Sequence, residues 1–137
     1  NQGFKFFWKT RWSLSCQTQQ KGLFYKALCP TIAETTPVDT GVRQIDSALF
    51  RLCLGHAGLN KHLHRFNLAE TPDCPHCHCE ETIDHYLLHC DRFKEQRIVL
   101  FVAIAKLLRT VPTLTLQLLL GASTHHLSTR IQILKYL

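Results

Sequence analysis

Residues 74–90 run CPHCHCEETIDHYLLHC, four cysteines and four histidines in seventeen positions. Cys74 and Cys77 form a C-x2-C pair around Pro75, a spacing that lets two thiolates of one tight turn face the same ion at about 2.3 Å. His85 and Cys90 complete a tetrahedral donor set with the pattern C-x2-C-x7-H-x4-C. Thiolate and imidazole donors at these distances select Zn2+ on ligand softness. A closed set of four leaves no open position for substrate or activated water, so the chemistry expected is structural: the ion staples a turn to a helix.

The fourth donor is ambiguous on geometry alone. On a straight helix His85 and His89 share a face, whereas His85 and Cys90 are five apart and diverge by about 140°. Cys90 serves only if His85 lies in an irregular first turn or if the backbone bends. Cys79 is a spare thiol, and His76 and His78 are spare imidazoles in the loop. The competing reading is a set of buried thiols without an ion.

The whole chain has seven cysteines, an odd number that a closed set of disulfides cannot use up. No positively charged start leads into an apolar run and a small-residue cleavage site, so no secretory leader is expected. The expected setting is therefore intracellular, nuclear and/or cytoplasmic, where clustered Cys and His hold metal more often than they bridge. The most apolar runs, IVLFVAIAKLL and LTLQLLLGA, fall short of the roughly 20 residues that cross a bilayer, and no membrane partner is expected.

With 137 residues, 45% of them hydrophobic and 19% charged, the chain has the composition of a folded protein with one core or two small modules. Its net charge of +6 is unevenly distributed. Every acid falls between Glu34 and Glu95, so both flanks are basic and uninterrupted by carboxylates. Basic flanks suit contact with a polyanion; the plainer reading is solvated Lys and Arg.

The elements that must position the cluster read as mostly α, a small helical domain organised around a CCHC knuckle. Residues 1–42 form a basic, aromatic linker segment with a helix or two before the Pro- and Thr-rich stretch CPTIAETTPVDTG. Residues 43–97 form the helical metal-binding core. Val42, Ile45, Leu49 and Leu52 recur at helical spacing, with Asp39 or Thr40 as a cap at the start and Gly55 at the end. Leu59, Leu63 and Phe66 mark a second, shorter helix. Thr82, with Asp84 in the next turn, starts another, whose apolar face continues through Phe93, Leu100, Ile104 and Leu107 as one long helix or as two broken near Cys90. Residues 98–137 form a helical tail, in which TLTLQLLLGA is ambiguous between strand and helix and STRIQILKYL is a final short helix.

Several of these stretches resemble the C-terminal cysteine-rich segment of non-LTR (LINE-type) retrotransposon polyproteins, which comes after the polymerase and often after a ribonuclease H domain. The likeness is carried by RL-x-L-GH from Arg51 to His56, L-x-R-F from Leu63 to Phe66, C-P-x-C, E-x-x-x-H-x-L-x-x-C, and LLG at Leu119 to Gly121, and it covers about residues 43–121. W-x-x-x-W at Trp8 to Trp12 and KG-x-x-Y at Lys21 to Tyr25 are similar to the segment that joins a ribonuclease H domain to this module. The resemblance implies Cys74, Cys77, His85 and Cys90 as ligands, which tips the choice away from His89. It departs at His78, a position often occupied by Gly in such modules, and at the extra Cys79.

The function this implies is that of an accessory module without catalysis, since nothing in the chain resembles polymerase or ribonuclease H active-site carboxylates. The bases expected to touch nucleic acid are Lys5, Lys9, Arg11, Lys21 and Lys26, with Trp8 and Trp12 as stacking or core aromatics, and Lys61, His64 and Arg65 on the second helix. By resemblance the nucleic acid is the RNA of the element or its target DNA during target-primed reverse transcription. The other expected partners are the upstream polymerase and ribonuclease H domains. The alternative is an interaction module that docks through the apolar C-terminal third without touching nucleic acid.

Overall fold

The computed structural model describes residues 7, 10–15, 18, 22–29 and 41–121. Lys5, Trp8, Lys9 and Lys21, residues 30–40 of the Pro- and Thr-rich stretch with Asp39 and Thr40, and the final helix expected over 128–137 lie outside them. The described residues are mostly helical and contain no β-strand, only one isolated antiparallel bridge, between Asp73 and Glu80.

After a helical stretch at 10–15, helix α1 spans Leu23–Leu28. Gly22 enters it at φ +68°, and a Cβ there would lie 3.1 Å from the Trp12 ring. Trp12 itself meets Tyr25 edge to face with centroids 6.0 Å apart.

Helix α2, Arg43–Leu54, turns Ile45, Leu49 and Leu52 inward at the spacing the sequence predicts, whereas Val42, expected on the same face, stands just before the helix and is exposed. It ends at Gly55 with φ +78°: Gly55 N–H donates to the Leu52 carbonyl (3.2 Å) and His56 N–H to that of Arg51 (2.8 Å). This paired closure needs a left-handed residue, which glycine adopts freely. The short α3, Asn60–His64, comes next.

Thr82 starts the next helical stretch as expected, its Oγ1 accepting from the His85 N–H at 2.9 Å. Helical geometry stops at Cys90, whose backbone is extended (φ −60°, ψ 123°), so the two-helix alternative is the one adopted. A 3-10 turn at Asp91–Phe93 leads into α4, Lys94–Leu108. Leu100 and Ile104 point inward, but Leu107 does not: the buried stripe runs through positions four apart, and Leu108 packs against the core in its place.

The ambiguous TLTLQLLLGA divides into an extended lead and a short helix α5, Leu116–Leu120, whose start is capped by Thr115 Oγ1 accepting from Leu118 N–H at 3.1 Å. Leu119 and Leu120 are almost fully buried, and Gln117 Nε2 donates to the Ala27 carbonyl at 3.1 Å. One apolar core thus gathers Leu28 from α1, Leu49 and Leu52 from α2, Ile83 and Leu87 beside the cysteine cluster, Leu100 and Ile104 from α4, and Leu119 and Leu120 from α5.

Candidate metal centre

The knuckle is a miniature hairpin. Glu81 N–H donates to the Pro72 carbonyl at 2.9 Å and Cys74 N–H to that of Cys79 at 2.8 Å, on either side of the Asp73–Glu80 bridge. His78 N–H donates back to the Cys74 carbonyl at 2.9 Å, which tightens the turn until Cys74 and Cys77 lie on one side. The turn requires a left-handed residue at His78, with φ +55°. That conformation costs a residue with a Cβ about 1–2 kcal/mol, though His tolerates it better than a branched residue does.

The other two donors come from the stretch after Thr82. Between His85 and His89 the helix widens into a π turn, in which Cys90 N–H donates to the His85 carbonyl at 2.7 Å, five residues back. The extra residue in this turn brings positions five apart onto one side. His85 and Cys90 consequently face the hairpin together. Asp84 and His89, also five apart, meet on the outer side with Oδ2 and Nε2 3.1 Å from each other. His89 is 65% exposed in its side chain, whereas Cys90 is 1% exposed as a residue.

Cys74, Cys77, His85 and Cys90 are thereby assembled with one donor atom each, all within 4.8 Å of one another. Cys90 Sγ lies 3.9 Å from Cys74 Sγ and 3.7 Å from Cys77 Sγ, far beyond a disulfide bond. Sulfurs bound to one tetrahedral ion at about 2.3 Å sit roughly 3.8 Å apart, so the cage has the dimensions of a metal site. It is buried apart from Cys77, which is half-buried.

The thiols of the cage differ in their electrostatics. Burial pushes the Cys74 thiol up, but the Cys77 and His76 backbone N–H groups hydrogen-bond to it and, with His85 and Cys90 alongside, bring it down from 9.0 to about 7. Pro75, which has no N–H, occupies the one position of the turn where no such donor is used. Burial raises Cys90 to about 11, and the Cys77 and Cys74 thiols beside it act in the same direction.

Cys79 stands outside the four. Its Sγ is 3.3 Å from His85 Nδ1, and its thiol is pushed up by desolvation first and by the Cys77 and Cys74 thiols and Asp73 after it. The side chain is exposed, at the edge of the cage.

Two polar side chains lock the cage to its surroundings, and neither carries a sequence signal that marks it as a positioning group. Arg97, on α4, donates from Nη2 to the Cys90 carbonyl at 2.8 Å, an oxygen that also accepts the Phe93 N–H at 3.2 Å. Asn60, the first residue of α3, donates from Nδ2 to the Asp73 carbonyl at 2.8 Å, while its own N–H donates to Glu81 Oε2 at 2.7 Å. An isolated Arg or Asn has neither period nor spacing to betray it.

Of the bases expected to touch nucleic acid, Lys61, His64 and Arg65 lie together at α3, next to the hairpin. Lys61 Nζ pairs with Glu80 Oε2 at 2.7 Å in an exposed bridge. His64 Nδ1 donates to the Ala69 carbonyl at 3.1 Å, and Arg65 is exposed at the end of the helix. Arg11 and Lys26 lie on the N-terminal helical stretches instead. Among the described residues no helix is long and apolar enough to cross a membrane. Comparison of the chain with protein-family models, curated proteins and solved structures finds no match.

Proposed function

We propose that this chain is a non-catalytic, zinc-binding accessory module that holds RNA or target DNA for a retrotransposon reverse transcriptase of the LINE type. The observation that carries the reading is mechanical: the Asn60 bonds fasten the basic helix α3 to the hairpin that supplies two of the four metal donors. An ion in the cage fixes the hairpin, and the hairpin fixes Lys61 and Arg65. Zinc is the ion that suits three thiolates and an imidazole in a closed tetrahedron.

Two further points support the reading. The four assembled donors are the set that the resemblance implies, including Cys90 over His89. His78 is left-handed at the position where such modules often carry Gly. The test is salt-titrated binding of the zinc-loaded chain to single-stranded RNA and DNA. Binding that weakens steeply with salt is expected, and absence of binding at low salt would sink the reading.

One observation favours a second reading, a protein-interaction module. Ile98, Val99 and Val102 on the outer side of α4 are 55%, 48% and 44% exposed, more apolar surface than one solvated helix face ordinarily carries. Solubility that depends on co-expression with the upstream polymerase or ribonuclease H domain, together with absence of RNA and DNA binding, would favour it.

A further inference from the structure

Beside the knuckle, on the side of α3, lies a groove of about 770 Å³. Its apolar lining includes the partly or fully buried Phe24, Leu59 and Ile83, and His56, His62 and Arg65 line it as well. That volume is within the range of sites that enclose small organic ligands.

The lining has an unusual arrangement of rings. His56 and His62 stack with centroids 5.2 Å apart and planes inclined by 30°, and His62 in turn meets Phe66 edge to face at 5.2 Å. Desolvation first, then the neighbouring His56 and Arg65, hold His62 below the ordinary histidine range, so it stacks as a neutral heteroaromatic. His56 is exposed and belongs to no metal set.

The charges around the groove are also sorted. Both carboxylates that line it are engaged within the protein: Glu81 Oε2 accepts the Asn60 N–H, and Asp84 pairs with His89. Lys61 is held only by an exposed pair with Glu80, a kind of bridge that contributes little and exchanges readily. Arg65 and Lys61 thus bring two cationic side chains to the groove, beside two carboxylates that already hold hydrogen-bond partners within the protein. A planar ring system bearing an anionic group fits an apolar lining, a pair of stacked rings and cationic side chains at once.

We propose that this groove seats one nucleotide of a single-stranded nucleic acid, its base against His56 and His62 and its phosphate at Arg65 and Lys61. This rests on the nucleic-acid reading above and names the surface that does the binding. Stacking tolerates any base, so the seat distinguishes single strands from duplexes more than one sequence from another.

The test uses the full zinc-loaded chain and fluorescein-labelled single-stranded oligonucleotides, with anisotropy read across a salt series. Three variants are compared with wild type: His56→Ala with His62→Ala, His56→Phe with His62→Phe, and Arg65→Ala. Zinc content and circular dichroism of each verify folding. The expected results are a loss of about 5- to 100-fold in the alanine pair, consistent with the energy of one stacked base, recovery in the phenylalanine pair, and a salt slope shallower by about 0.7 in Arg65→Ala. If wild type binds and all three variants bind equally well, the groove proposal is overturned while the nucleic-acid reading stands. If wild type does not bind, both fall. Binding of an acidic apolar peptide, displaced by none of the oligonucleotides, would instead make the groove a peptide site and overturn the proposal.

Discussion

The amide of Cys90 donates to the carbonyl oxygen of His85 at 2.7 Å, a bond spanning five residues, and it decides which side chains face the cage. An α-helical turn there would have paired His85 with His89 and left Cys90 on the far side. The π turn reverses this and puts His89 outside, against Asp84.

Removing single donors gives the most direct check. Wild type is expected to carry one equivalent of zinc, and Cys90→Ala to lose both the metal and the fold around the hairpin, because structural metal sites contribute folding energy outright. His89→Ala and Cys79→Ser are expected to keep the metal. Metal analysis with far-UV circular dichroism before and after chelator reads all four chains, and metal loss in His89→Ala would refute the ligand set.

Metal uptake is expected to rise with pH, because every donor that carries a proton must lose it, and Cys74 and Cys90 mark two of those steps. With Cys74 at about 7 and Cys90 at about 11 in the metal-free cage, binding at pH 8 must displace the Cys90 proton, and below about pH 7 the Cys74 proton as well. Affinity therefore rises with pH, and the Cys74 proton adds one to the slope below about 7, measurable by competition with a chromophoric chelator. For the metal-free fold the signs are opposite. Lowered Cys74 contributes stability that is present above about 9 and lost as pH falls through about 7. Raised Cys90 contributes stability that is present below about 9 and lost as pH rises through about 11.

His78→Gly is expected to stabilise the hairpin by up to about 1 kcal/mol, since glycine removes the strain of a left-handed residue but gives back part of the gain as unfolded-state entropy. Thermal melts of the metal-loaded protein would show a small upward shift. A downward shift would mean that the imidazole makes a contact of its own.

Gly121→Ala is expected to be among the most damaging single-methyl changes. The added Cβ would collide with the Gln117 carbonyl oxygen and lie 3.0 Å from that of Leu28, both of them backbone atoms that cannot swing away. A loss of several kcal/mol, seen as a lower denaturant midpoint with metal still bound, is the expected outcome.

The helices around the core were legible because burial imposes period: Ile45, Leu49 and Leu52 could face inward together only on a helix, and Gly55 marked its end. The two cysteines of the knuckle were legible from spacing. Helix geometry alone left Cys90 against His89 open, because the choice depends on one backbone hydrogen bond; only the family resemblance pointed to Cys90. Leu107 illustrates a different limit. Apolar residues surround α4 so thoroughly that sequence could not tell which stripe the core would take. The groove was hidden for a third reason: His56 and His62 become neighbours only once the irregular stretch between α2 and α3 has folded.

The contact of α5 with the end of α1 bears on how this protein can be cut. Gln117 reaches Ala27 across 90 positions, and Gly121 packs against the Leu28 carbonyl. A peptide trimmed to the cysteine cluster would retain all four metal donors yet lack the helices that carry Leu49, Leu52, Leu100 and Ile104, leaving Ile83 and Leu87 facing water. It would chelate an ion as a short loop does, but it would be no stand-in for the intact fold in any binding assay.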